Sequence, residues 1–165
     1  MTHFAAALAK TADGWTGREL DLHEVEDLES LAEELRDLVD DEEGLAVLLL
    51  EEDDEYVGVV RVDAGPLDEP RVFLSDRRAV LASDVAAKLW EDAEEEAEDE
   101  DEEEDEGTRP VAEPAGDPSL LADLGTSPDV LLELCAEEGL LPADVLTGIA
   151  ERAGFLEVLD SLRDG

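Results

Sequence analysis

The chain has 165 residues, 50 of them acidic and 11 basic, for a formal net charge of −39. That length holds one domain of ordinary size, or one domain and a short appendage, and excludes two full domains. A negative field of this strength repels nucleic acid and anionic lipid, which argues against direct tRNA, DNA or membrane binding and favours cations or basic proteins as partners.

Aromatic residues make up 4% of the chain, so the core must be built chiefly from Leu, Val and Ala. The apolar run His3–Lys10, the turn signal Ala12-Asp13-Gly14 and the stretch Trp15–Leu22 predict an opening β-hairpin. Asp21 with Glu24 three residues on has the form of a capping box. Val25, Leu28, Leu31, Ala32, Leu35, Leu38 and Val39 then recur at helical spacing. Leu45–Leu50 is a continuous apolar run too short for a helix, and Val-rich Tyr56–Val62 follows it across a tight turn at Glu52–Glu55. After the Gly/Pro loop Gly65–Pro70, Arg71–Leu74 predicts a short strand. Asp76 is placed to cap a helix through Val80, Leu81, Val85 and Leu89 towards Trp90. The order ββαβββα predicts an α+β domain over 1–90, with a mainly antiparallel sheet and two helices on one face.

Between Glu91 and Glu106 every residue but Ala93 and Ala97 is acidic, so like-charge repulsion predicts a tether that is disordered or a frayed helix extension. With Gly107–Asp117, which carries Pro110 and Pro114, it forms a linker over 91–117. Pro118–Leu124 predicts a short helix ended by Gly125. Ser127-Pro128 opens a second ended by Gly139, Pro142 a third ended by Gly154, and Phe155–Arg163 adds a final turn or two. These residues, 118–165, predict a small helical module whose marginal core must dock on a partner or on the first domain.

The chain is poor in catalytic constellations. With two histidines and one cysteine it cannot assemble a three-ligand zinc centre: His23 is followed by Glu24 and Val25, and Cys135 has no second cysteine near it. His3 and His23 read as solvated surface residues, and Ser75 as part of a helix N-cap with no nucleophile-elbow glycines around it. Lys10 and Lys88 lack a glycine-rich phosphate loop. Glu51–Glu55 lacks EF-hand spacing, leaving weak, unspecific cation binding. Cys135, beside Glu133, Glu137 and Glu138, reads as a structural thiol, because neighbouring carboxylates raise a thiol pKa. No catalytic residue, metal site or cofactor is expected. A lone cysteine, no basic-then-apolar leader and no apolar run near the ~20 residues of a membrane span fit a cytoplasmic address.

Several segments taken together carry a likeness. They are Phe4-Ala5-Ala6-Ala7-Leu8 with Trp15, Val25-Glu26-Asp27-Leu28, Glu51–Tyr56 before Val59-Val60-Arg61-Val62, and Arg71-Val72-Phe73-Leu74-Ser75-Asp76. The acid-rich middle and the tail segments Leu121–Thr126, Cys135–Gly139 and Leu141–Leu146 complete it. In these the chain resembles the tRNA adenosine deaminase-associated proteins of actinobacteria. The resemblance implies a non-catalytic accessory or regulatory protein whose partner is the tRNA adenosine deaminase or another basic protein, and it transfers no catalytic residue. The residues expected to meet a basic surface are Glu94, Glu95, Glu96, Glu98, Asp99, Glu100, Asp101, Glu102, Glu103, Glu104, Asp105 and Glu106. An alternative reading makes the same run a nucleic-acid mimic, a charge decoy for any basic groove.

Overall fold

A strand whose side chains are apolar at consecutive positions has both faces removed from water. β1 (His3–Thr11) and β3 (Leu45–Glu52) are strands of this kind. The computed structural model describes residues 3–11, 14–21, 24–39, 44–52, 56–63, 70–75, 87, 115–136 and 141–164. With β2 (Gly14–Glu19), β4 (Tyr56–Asp63), β5 (Arg71–Leu74) and the two-residue β6 (Ala115–Gly116), they form one sheet in the order β2-β1-β3-β4-β5-β6. Every pairing is antiparallel. β1 lies between β2 and β3, with Leu8 opposite Gly17 on one side and Val47 on the other. β2 and β3 are therefore parallel to each other, and α1 (Leu28–Asp37) makes the crossover.

Strand alternation divides the core in two. Ala5, Ala7, Ala9, Ala46, Leu48, Leu50, Val60 and Val62 face α1, meeting its buried Leu31, Ala32 and Leu35. Ala6, Leu8, Val47, Leu49, Val57, Val59 and Phe73 face the other way. They are covered by Leu120 and Leu121 of a 3-10 helix (Pro118–Leu124), Leu131 of α2 (Pro128–Ala136), Leu146 and Ile149 of α3 (Pro142–Ala153), and Leu159 of α4 (Leu156–Asp164). Each fully buried Leu, Val or Phe side chain contributes roughly 1.5–3 kcal/mol. The C-terminal helices thus dock on the sheet, completing a layer that the strands need.

The expected α+β class and antiparallel sheet are observed, with several corrections. Helices cover both faces of the sheet, which is why Leu45–Leu50 is apolar at consecutive positions. The N-cap of α1 is Asp27, not Asp21: the Asp27 carboxylate accepts from Ser30 N–H at 2.9 Å, while Glu24 N–H closes a separate turn on the Asp21 carbonyl at 3.1 Å. The start of the helix that Ser75 is expected to help cap lies outside the described residues, but Ser75 itself serves the sheet. It is buried, its hydroxyl accepts from Val57 N–H at 2.9 Å, and its own N–H donates to the Val57 carbonyl, so it prolongs the β4–β5 pairing. Ala115 and Gly116, placed in the linker by sequence, pair with Leu74 and Phe73. The helix expected from Asp76 lies outside the described residues except for Ala87, which is helical.

Two of the three glycine stops hold as read, and Gly139 lies outside the described residues. Gly125 and Gly154 have φ of +97° and +95°, the left-handed conformation that ends a helix. Thr126 N–H returns to the Leu121 carbonyl and Gly125 N–H to the Ala122 carbonyl; Gly154 and Phe155 both donate to the Ala150 carbonyl. Between these stops Ser127 caps α2, its hydroxyl accepting from Val130 N–H at 3.3 Å, and Asp144 accepts from Leu141 N–H at the start of α3.

Candidate functional site

Arg61 stands near the end of β4 on the face covered by the C-terminal helices, with its side chain 5% exposed. A guanidinium withdrawn from water needs its donors met. Nε donates to Asp63 Oδ1 at 3.0 Å, and the two terminal nitrogens grip the Asp123 carboxylate at 2.5 and 2.9 Å. One of them also donates to the Leu120 carbonyl at 2.6 Å. Arg71, opposite Arg61 across the β4–β5 pairing, reaches Asp63 at 3.9 Å and Asp117 at 3.8 Å. Asp117 in turn caps the 3-10 helix by accepting from Ser119 N–H at 2.9 Å. Two arginines and three carboxylates thereby fasten residues 117–123 to β4 and β5.

Burial works to lower the Arg61 pKa, but the hydrogen bonds and charges of Asp123 and Asp63 outweigh it and hold the group above its ordinary value. The hydrogen bonds from Arg61 hold Asp123 below the usual carboxylate range, against a smaller opposing effect of burial. Since 62% of the Asp123 side chain meets solvent, water screens much of this pair. A guanidinium making four hydrogen bonds and a carboxylate of lowered basicity make a clamp, poorly suited to proton transfer.

Arg61 lies within the segment Val59-Val60-Arg61-Val62, and nothing in the sequence alone assigns it a role. The available signal was a charged residue inside the apolar strand Tyr56–Val62, which must find a partner once buried. Its partner Asp123 could not be singled out among 50 acidic residues.

The rest of the described surface is strongly acidic. Glu29, Glu33 and Asp37 recur every four residues along the exposed side of α1, while Asp129 and Glu133 do so on α2. Glu151 on α3 and Glu157 and Asp160 on α4 are exposed as well. Arg18 meets Glu34 at 3.7 Å, but both side chains are about half exposed (55% and 43%), so this pair adds little stability. Leu141, 51% exposed, is an apolar point in this setting. The carboxylates expected to meet a partner, Glu94 to Glu106, lie outside the described residues, as does His23.

Cys135 is a half-buried residue of α2 whose thiol is pushed up to about 12 by burial. The direction matches a structural thiol, with burial and not the neighbouring carboxylates as its cause. Trp15 of β2 meets Phe155 edge to face, ring centroids 4.8 Å apart at 66°. Among the described residues no group of three or more His, Cys, Asp and Glu side chains is arranged to hold a metal ion. No described helix is long and apolar enough to cross a membrane.

No curated protein and no solved structure matches the chain. A family model does, over residues 3–156, a span that takes in the six described strands, the Arg61 clamp, the 3-10 helix, α2 and α3, and stops at the first residue of α4. The clamp, the first core and all of the second core but its α4 residues fall within that span, and the chain belongs to the Rv3753c-like tRNA adenosine deaminase-associated protein family.

Proposed function

We propose that this protein is a non-catalytic accessory or regulatory factor that binds a basic protein in the cytoplasm, the tRNA adenosine deaminase for which its family is named. The observation that carries the reading is family membership, joined to a net charge of −39. A tRNA-binding enzyme presents a basic surface to its substrate, and an acidic protein is drawn to such a surface by long-range attraction. The four hydrogen bonds of the Arg61 guanidinium support a structural role for that network.

Co-purification with the deaminase at two salt concentrations tests this. A complex recovered at low salt and weakened at high salt is expected, because exposed charges are screened beyond about 8 Å at physiological ionic strength. No complex at low salt refutes the proposal. The run of carboxylates at 91–106 favours a second reading, a charge decoy for basic grooves. Deleting residues 94–106 separates them: a decoy loses its binding, whereas a factor docking through its folded faces keeps most of it.

A further inference from the structure

Antiparallel pairing turns successive backbone groups alternately towards and away from the neighbouring strand, so register shows which amides of an edge strand face outward. β2 is an end strand of the sheet. Leu20, just beyond it, donates its N–H to the Ala5 carbonyl at 2.9 Å. With Arg18 opposite Ala7 and Thr16 opposite Ala9, this turns the backbone groups of Thr16 and Arg18 towards β1. The N–H and C=O groups of Trp15, Gly17 and Glu19 point away from the sheet, and no strand among the described residues pairs with them.

Sheet edges are ordinarily protected by proline, bulges, charge or a covering element. The six residues of β2 contain no proline and pair with β1 in unbroken register. Charge is present, and its sign selects the visitor. Glu19 is exposed, and the helix lying over Gly17, where an added Cβ would stand 2.9 Å from Val158 Cγ1, carries exposed Glu157 and Asp160. On the opposite face α1 reaches β2 through Glu34, which takes up Arg18, and carries exposed Glu29 and Glu33. A second copy of a chain with charge −39 would bring like charge to this edge.

We propose that the outer edge of β2 receives an extended segment of the partner protein bearing Lys and Arg, added to the sheet as a further strand. Main-chain bonds at Trp15, Gly17 and Glu19 would supply attachment, and the flanking carboxylates would supply selection. This rests on the reading of the protein as a binder of a basic partner.

The test is residue-resolved amide exchange on the full chain: alone, with the tRNA adenosine deaminase, and with an octapeptide of alternating Lys and Val. The amides of Trp15, Gly17 and Glu19 should slow by about tenfold or more on binding, while those of Thr16 and Arg18, already bonded to β1, change little. The same peptide N-methylated at alternate residues should lose the effect at unchanged charge. A deaminase complex that leaves the three amides unprotected overturns strand addition while sparing the accessory role. A deaminase that does not bind, beside a peptide that protects them, sinks the named partner and supports the edge. Protection by neither probe overturns the proposal. So does concentration-dependent protection with no probe present, which assigns the edge to a second copy.

Discussion

Replacing Gly125 and Gly154 in turn by alanine separates two costs that usually arrive together. Both have left-handed φ, +97° and +95°, and a side chain there costs about 1–2 kcal/mol in either case. Their surroundings differ. Nothing lies within 4 Å of a Cβ built at Gly154, whereas one at Gly125 falls 2.6 Å from the Arg152 carbonyl oxygen and 3.1 Å from its carbon. That carbonyl cannot retreat cheaply, because the end of α3 is tied by the bonds of Gly154 and Phe155 to Ala150, and Phe155 is fully buried. Overpacking against a fixed neighbour adds about 1–3 kcal/mol. Gly154→Ala should therefore lose about 1–2 kcal/mol of unfolding free energy and Gly125→Ala about 2–5 kcal/mol. Urea titrations followed by far-UV circular dichroism measure both, and m-values unchanged from wild type confirm that the native state alone is affected. Equal losses in the two variants would refute the close approach of the 3-10 helix to α3.

Three further outcomes follow from particular groups. Asp123 has a folded pKa below its unfolded value, so the folded state binds fewer protons: its contribution is present above the unfolded value and lost as pH falls through the folded one. Asp123→Asn should cost about 1–2 kcal/mol at pH 7 after allowance for exposure, and the gap to wild type in denaturant titrations should close below about pH 4. Thr126 is fully buried and its hydroxyl has no hydrogen-bond partner among the described residues, so Thr126→Val should raise stability by about 1 kcal/mol, and a loss would show that the hydroxyl is satisfied. With its thiol near 12, Cys135 should react with iodoacetamide at pH 8 roughly a thousandfold more slowly than a free cysteine, and at an ordinary rate in denaturant.

Much of the fold was legible because local signals agreed with the tertiary outcome. The alternating and continuous apolar runs gave the five main strands, the proline signal gave the start of the helix at Pro128, and the Pro-first, Gly-after pattern gave the helix from Pro142. The misplaced cap on α1 shows how local chemistry misleads in so acidic a chain. With carboxylates at 21, 24, 26 and 27, several positions can imitate a cap, and only in the fold does Asp27 prove to be the one that accepts from Ser30 N–H. β6 was invisible because two small residues carry no periodicity; only the free edge of β5 gives them a partner. The clamp was half legible: Arg61 is conspicuous in β4, but Leu120 and Asp123, 59 and 62 positions away, reach it only through tertiary contact. The open edge of β2 could not be read at all, since it follows from sheet order.

The second core also sets a timetable for folding. Leu8, Val47, Leu49, Val59 and Phe73 leave the ribosome well before Leu120, Leu131, Ile149 and Leu159, the residues that cover them. At ordinary synthesis rates this interval is on the order of seconds, far longer than collapse of a small chain takes. The nascent sheet must wait with one greasy face uncovered, the state in which edges and apolar surfaces stick to one another. The segment made during that wait is the one richest in carboxylates, and its charge gives the growing chain an intermolecular repulsion at the stage when it most needs one.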